Sequence, residues 1–542
     1  MRIEKSNSYE EGLAALAERV EEKMRQLLGD SLEESLFTQK EKKQRSLLKA
    51  ELRTYLYLSG TGNREAKIQV KGMIRDILTE EEKITKEQMD RFFPFHTPSE
   101  LCAMHQFQLL LFKEEQIEGA DGFSTLLQKA GWAVKENRIS SEEVKGIYLS
   151  WLPRFDFLEK LEFLTQLIYS MLYGLGSIDS LLEQRVDGIS GGVSSGGEKE
   201  TSIWVQWMGR SIHLACLKFG SKEELIRVCR RICRFEQAAQ FTSEKGYLVC
   251  ELADGSRVVV TRPPFSESWS FFVRKFDTIE KRELEYLIRG ENAQLPIGML
   301  QGLIAAQTTL AVTGEQGSGK TTLLVALIGC ISPELNLRIQ EMNFEMHIRK
   351  YYPDRNCLTF RETASVSTQQ GLDLQKKTDG SVNILSEVAT HEAGSYMIQM
   401  GMTASLFTMF THHATTTENL IYALRNSLLI CGQFGREEAA TQQVTEVIQF
   451  DIHLVKDRSG KRYIERITEI CPSVKKDGCF IVRDIIYWNS ELEKYQLVKS
   501  LSEQQLNRIK KNMTKEEWIK WQNWYGEQKN ETGNFMQAVY SF

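Results

Sequence analysis

Residues 308–322 read Thr308-Thr309-Leu310-Ala311-Val312-Thr313-Gly314-Glu315-Gln316-Gly317-Ser318-Gly319-Lys320-Thr321-Thr322, and the apolar run Leu323–Cys330 follows. A short apolar strand pattern thus leads into a glycine-rich loop and out into a helix. The loop is GxxxxGK[ST] in the strand-to-helix context that this pattern requires. Its glycines let consecutive backbone N–H groups turn inward around phosphate oxygens, and the helix N-terminus adds positive potential. Gly314, Gly317, Ser318, Gly319, Lys320, Thr321 and Thr322 are therefore the candidate ATP-binding residues. Lys320 is expected to reach the β- and γ-phosphates, and the Thr321 hydroxyl to bind Mg²⁺.

Such a loop binds but does not by itself hydrolyse. A carboxylate must position or activate water, and developing charge on the γ-phosphate needs a cation. Asn383-Ile384-Leu385-Ser386-Glu387 is a largely apolar strand ending in an acid, the shape of a Walker B element. From Lys281 onward helical and strand patterns alternate, as in a parallel α/β domain. Its buried strands are expected at Thr308–Thr313, Leu337–Gln340, Val382–Leu385 and Leu406–Thr411.

Upstream, Thr201–Trp207 and Gly246–Leu252 alternate like strands, Lys222–Phe235 is an amphipathic helix, and Asp254-Gly255 marks a turn before Val258–Thr261. With Trp269–Phe276 as a further strand, this is an α+β unit. Val186–Gly197 is rich in Gly and Ser and reads as a linker or as a loop packed on something, the linker being favoured. Residues 1–180 read as mostly helix, with apolar residues at three- and four-residue spacing in Tyr9–Leu28, Leu47–Ser59 and Leu158–Leu175. The run Lys40–Arg45 reads as a solvated helix face. In the tail, Trp518, Trp521 and Trp524 form a packing stripe.

Bulk composition narrows the function classes. In 542 residues, 42% are hydrophobic and 26% charged, enough for several cores and against wholesale disorder. A net charge of −5 argues against a dedicated nucleic-acid binder. No apolar run approaches the roughly 18–20 residues of a membrane span, and the charged, helical start is unlike a signal peptide. The ten cysteines include no CxxC pair, so buried free thiols in a reducing compartment are expected, with zinc or disulfide use the minor alternative.

Further boxes, in order, give the chain a resemblance. Gly174–Leu182 (GLGSIDSLL), Asp254-Gly255-Ser256-Arg257-Val258, Pro263-Pro264 and Phe272-Val273-Arg274-Lys275-Phe276 precede the loop. Arg338–Glu345 (RIQEMNFE), Ser386–Ala393 (SEVATHEA) and Phe410–Thr415 (FTHHAT) follow it, and Val455–Ile470 looks like a closing hairpin without a catalytic box. Over residues 174–475 the chain resembles the secretion ATPases of type II, type IV pilus and type IV secretion systems, nearest the CpaF-like Tad/Flp pilus ATPases. The resemblance implies Glu345 as the acid that activates water, Glu387 as the Walker B acid that supports Mg²⁺ through water, His413 as a phosphate-sensing histidine, and Arg257 and Arg274 as phosphate-closing arginines. It also implies a homo-oligomeric ring, expected to be a hexamer, pushing on an inner-membrane platform protein from the cytoplasmic side. No nucleic acid is expected as a partner.

The implied architecture is an α/β chain with four parts. They are a helical N-terminal region (1–173), a small α+β domain with a hinge (174–280), a RecA-like P-loop ATPase domain (281–475) and a C-terminal extension (476–542). Four positions depart from the family's boxes: Met342, Ser386, Ala389 and Thr415. They keep a second reading open, a degenerate ATP-binding subunit with little hydrolysis, structural or regulatory in the same machine. A nucleic-acid motor on the same core and a pure interaction protein are the remoter alternatives.

Overall fold

A computed structural model describes residues 8–28, 39–60, 62–133, 137–193, 202–233, 245–276, 283–363, 365–375, 377–403, 405–457, 460–472 and 479–539. The chain divides into two compact units, Met1–Thr278 and Ile279–Phe542. The boundaries expected at 280/281 and 475/476, the last two residues of the Lys222–Phe235 helix, and Thr201 lie outside the described residues.

In the first unit the expected amphipathic segments are helices, Ser8–Leu28, Gln39–Ser59 and Phe157–Leu172 among them. Tyr9, Leu13, Leu16, Val20 and Met24 bury one face of the first, at the three- and four-residue spacing that defines a helix stripe. Among its described residues the unit also holds seven strands: β1 (Arg138–Ile139), β2 (Gly188–Gly191), β3 (Ser202–Trp207), β4 (Arg210–Lys218), β5 (Tyr247–Glu251), β6 (Arg257–Thr261) and β7 (Ser270–Arg274). They form one sheet in the order β1-β4-β3-β2-β7-β6-β5.

This order corrects the linker reading of Val186–Gly197. Its residues Gly188–Gly191 are the buried middle strand, and residues 194–197 lie outside the described ones. A side chain on Gly188 would meet the Val273 carbonyl, and one on Gly191 would meet the Phe271 and Phe219 rings. Small residues are required there because the neighbouring strand and two aromatic rings fill the space. Composition alone cannot separate that need from a flexible connector.

The second unit has, among its described residues, nine strands: β8 (Leu310–Gly314), β9 (Leu337–Glu341), β10 (Cys357–Arg361), β11 (Val382–Leu385), β12 (Phe407–His412), β13 (Phe450–Lys456), β14 (Arg462–Pro472), β15 (Phe480–Asn489) and β16 (Lys494–Leu497). Their order is β10-β9-β11-β12-β8-β13-β14-β15-β16. The first six are parallel and the last three add antiparallel. Strands β8, β9 and β11 are buried along their whole length, as a parallel sheet covered on both faces demands. Successive residues face opposite cores: Leu310 and Val312 join one apolar cluster, Ala311 the other. Trp521 and Trp524 occupy the space where side chains on Gly302 and Gly298 would stand, so the tail's aromatic stripe packs on helix Gln294–Ala305. Among the described residues, no helix is long and apolar enough to cross a membrane.

Candidate nucleotide-binding site

Parallel α/β sheets bind ligands beyond the carboxyl ends of their strands. Four expected site segments leave such ends. The glycine-rich loop follows β8, Glu345 lies four residues past β9, Glu387 two past β11, and His413 one past β12. Because β9, β11, β12 and β8 are consecutive neighbours, the topology brings these segments to one edge. The Ser386 N–H donates to the Gln340 carbonyl at 2.9 Å and the Val388 N–H to the Thr411 carbonyl at 3.0 Å, joining the ends of β9, β11 and β12.

The loop's three glycines all have positive φ: 138° at Gly314, 77° at Gly317 and 98° at Gly319. L side chains resist this region. At Gly314 a side chain would also strike the Leu454 carbonyl. Helix Lys320–Gly329 starts immediately after, with Gly319 as a left-handed N-cap that makes no side-chain capping bond. Thr321 and Thr322 are half-buried in its first turn.

Lys320 is buried, and its ammonium donates to the Gly314 and Glu315 carbonyls, both at 2.9 Å. It also stands 3.3 Å from His413 Nδ1. An ammonium can only donate, so Nδ1 accepts and the ring proton sits on Nε2. Nε2 is 3.2 Å from Glu387 Oε1. Lys320, His413 and Glu387 thus form one chain from the loop to the acid beyond β11, with the imidazole relaying between cation and carboxylate.

Ser318 is fully buried, and its hydroxyl has no hydrogen-bond partner among the described residues. An orphaned buried hydroxyl in a glycine-rich loop at a helix N-terminus suits a phosphate oxygen. Burial, with His413 and Lys320 adding to it, pushes His412 down to about 4. It therefore stays neutral beside the lysine.

Glu345 is half-buried in the turn after β9, where its N–H donates to the Asn343 carbonyl at 2.7 Å. Glu341, the acid at the end of β9, closes that turn by accepting from the Met346 N–H at 2.9 Å. Met342 is 45% exposed and Ala389 is also exposed, so both stand at the surface and outside the core. Thr415 accepts from Asn419 through its hydroxyl and from Arg466 through its carbonyl.

Arg257 and Arg274 belong to the first unit. They are directly paired across β6 and β7, and their guanidinium groups lie 5.5 and 5.9 Å from the centre of the Phe276 ring. Two like charges facing each other across a ladder are unfavourable, and the shared aromatic face offsets part of that cost.

The structure adds residues that sequence reasoning passed over. Arg462, on the hairpin thought to carry no box, donates from Nε to the Gly317 carbonyl at 2.9 Å. Beneath the loop, Asp451 accepts from the Thr313 hydroxyl at 2.6 Å and from the Thr417 hydroxyl at 2.7 Å. His453 Nδ1 lies 2.8 Å from Thr313 Oγ1, and since that hydroxyl donates to Asp451, the ring donates from Nδ1. Burial pushes the Asp451 carboxyl up, against the two hydroxyls, and pushes His453 down to about 4. No local pattern flags these residues. Each matters through a partner more than thirty positions away.

No protein-family model matches the chain, and no curated protein matches it. Similarities to solved structures do occur. The VirB11 ATPase of the Brucella suis type IV secretion system is 19% identical, with a TM-score of 0.29 over 53% of this chain and 93% of that one. The Legionella pneumophila ATPase DotB is 15% identical, with a TM-score of 0.39 over 58% and 82%. The pilus retraction motor PilT is 15% identical, with a TM-score of 0.41 over 66% and 90%.

Proposed function

We propose that this chain is an ATP-hydrolysing motor with a RecA-like P-loop core that powers a Tad/Flp-type pilus or a related secretion machine. The observation that carries the ATPase part is the built loop: three positive-φ glycines, the buried Lys320 and its hydrogen-bonded continuation through His413 to Glu387. The pilus part is supported by the order of boxes over residues 174–475. In this reading the protein works as a homo-oligomeric ring, a hexamer, at the cytoplasmic face of the cell membrane and against an inner-membrane platform protein.

The loop N–H groups and Lys320 would bind the β- and γ-phosphates, and Ser318 would donate to a phosphate oxygen. Thr321, and Glu387 through water, would hold Mg²⁺, which supplies charge neutralisation to the phosphates. Glu345 would orient the attacking water and take its proton as the water oxygen bonds to the γ-phosphorus and the bond to the β–γ bridging oxygen breaks. His413, hydrogen-bonded to Lys320 and Glu387, would register whether the γ-phosphate is present. Arg257 and Arg274 would add positive charge at that phosphate.

Steady-state Mg²⁺-ATP hydrolysis by the full chain, beside Lys320→Ala and Glu345→Gln, tests the proposal. Both variants should lose activity, Lys320→Ala through binding and Glu345→Gln through turnover. Absence of ATP binding by the wild type would overturn it. The replacements at Met342, Ser386 and Ala389 favour a second reading, a degenerate ATP-binding subunit. Nucleotide binding with no hydrolysis above the two variants, even with the membrane partner added, would establish that one.

A further inference from the structure

Among the described residues, one group of three metal-capable side chains draws together in the first unit: Glu10, Cys102 and His105, whose ligand atoms all lie within 4.8 Å of one another. Glu10 is in the first turn of helix Ser8–Leu28. Cys102 is the N-cap of helix Ala103–Glu118, and His105 follows three residues later in that helix's first turn. This Cys-x-x-His spacing turns both side chains toward the same end of the helix.

The distances suit a metal. Cys102 Sγ stands 3.4 Å from His105 Nδ1. A zinc ion bonded to sulfur at about 2.3 Å and to nitrogen at about 2.05 Å, with a tetrahedral angle between them, holds the two ligand atoms about 3.5 Å apart. The Glu10 carboxylate, at the solvent edge, lies within 4.8 Å of both of them. The ring is fixed by edge contacts with Tyr9 and Phe93, at centroid distances of 5.7 and 5.2 Å.

The Cys102 N–H donates to the Tyr9 hydroxyl at 3.3 Å. His105 Nδ1 faces both the Tyr9 hydroxyl, at 3.0 Å, and the Cys102 thiol. One ring nitrogen has a single lone pair or a single proton to offer two partners.

We propose that Glu10, Cys102 and His105 bind a zinc ion, through Cys102 Sγ, His105 Nδ1 and one Glu10 oxygen with a water as fourth ligand, and that the ion ties the start of helix Ser8–Leu28 to the start of helix Ala103–Glu118. The mixed sulfur, nitrogen and oxygen donors select zinc over hard cations. The site belongs to the first unit and the nucleotide loop to the second.

The test uses the full chain, stripped with chelator and titrated with Co²⁺ alone. About one tightly bound Co²⁺ per chain is expected, with a thiolate-to-cobalt charge-transfer band that Zn²⁺ displaces. Cys102→Ser should abolish the band, Glu10→Gln should weaken binding by about tenfold or more, and Cys479→Ser, at an exposed free cysteine, should change nothing. Loaded wild type should melt above stripped wild type, and Cys102→Ser should melt with the stripped protein, showing that the lost band is not lost folding. Should Cys102→Ser melt lower, the tenfold loss in Glu10→Gln decides. A wild type without the band, a band that survives Cys102→Ser, or a Glu10→Gln variant of unchanged affinity would overturn the site and leave Cys102 and His105 as a hydrogen-bonded pair.

Discussion

Replacing Arg462 asks whether the β13–β14 hairpin holds the nucleotide loop in shape. Its Nε donates to the Gly317 carbonyl at 2.9 Å, and its Cδ lies 3.7 Å from where a side chain on Gly319 would begin. Both glycines have positive φ, a conformation with little intrinsic preference behind it, and the space beside Gly317 is open. A hydrogen bond from a charged donor contributes about 1.5–3 kcal/mol when buried. Arg462 is half-buried, so solvent screening lowers the working figure to about 1 kcal/mol. That is about fivefold in an equilibrium constant. Arg462→Ala should therefore weaken Mg²⁺-ATP binding about fivefold, read by titration with a fluorescent ATP analogue. Arg462→Lys keeps the charge but loses the Nε donor, and it should bind as Arg462→Ala does. Unchanged affinity in Arg462→Ala would refute the bracing role. Wild-type affinity in Arg462→Lys alone would mean that charge acts there and the bond to Gly317 does not.

Two further perturbations probe the frame around the site. Gly191→Ala pushes a methyl into the Phe271 and Phe219 rings at the centre of the first sheet, an overpacking worth about 1–3 kcal/mol; a urea midpoint for the first unit equal to wild type would show that the rings yield freely. Asp451 has a carboxyl pushed up by burial, so the folded state holds a proton at pH values where the unfolded chain, titrating at about 3.9, has released it. Its contribution is full below the unfolded value and is lost as pH rises through the raised folded value. The stability of wild type relative to Asp451→Asn should thus fall as pH climbs above about 4, and a pH-independent difference in urea midpoint would count against a buried, proton-holding Asp451.

The parallel half of the second unit was legible because its signals are local. An apolar strand, three glycines and a lysine sit within fifteen consecutive residues, and β8, β9, β11 and β12 appear within two residues of their expected bounds. Glu387 was read from the acid that ends its strand and His413 from the resemblance, and both stand just past a parallel strand, where such sheets present their ligand edge. Strand β2 was not legible, because Gly188 and Gly191 are glycine for lack of room and a linker is glycine for lack of constraint. Strand β4 was missed too; the sixfold buried run within Arg210–Lys218 lacks the alternation that marks a half-exposed strand. Arg462 and Asp451 escaped for a different reason. Their roles rest on contacts with Gly317 and Thr313, which lie 145 and 138 residues away in the chain.

The buried Asp451 also explains how the loop keeps its back wall. Strand β13 pairs in parallel with β8, placing His453 opposite Thr313 and Leu454 opposite Gly314. Phe450, Ile452 and Leu454 alternate with Asp451 and His453 along it. A slip by one residue would put apolar side chains where polar ones belong and is strongly opposed. A slip by two would keep every residue on its own face, so hydrophobic pattern alone resists it weakly. It would, however, carry Asp451 away from Thr313 and leave a buried carboxylate and a buried hydroxyl without partners, at about 1–3 kcal/mol or more for each. The hydrogen bonds of Asp451 to Thr313 and Thr417 therefore pin the register that hydrophobicity leaves loose. That register sets the Leu454 carbonyl against Gly314 and brings Arg462, at the start of the next strand, to Gly317. Thr417, at the start of the helix that follows the His413 segment, shares the same carboxylate. One buried acid so fixes the loop, the histidine segment and the hairpin to one another.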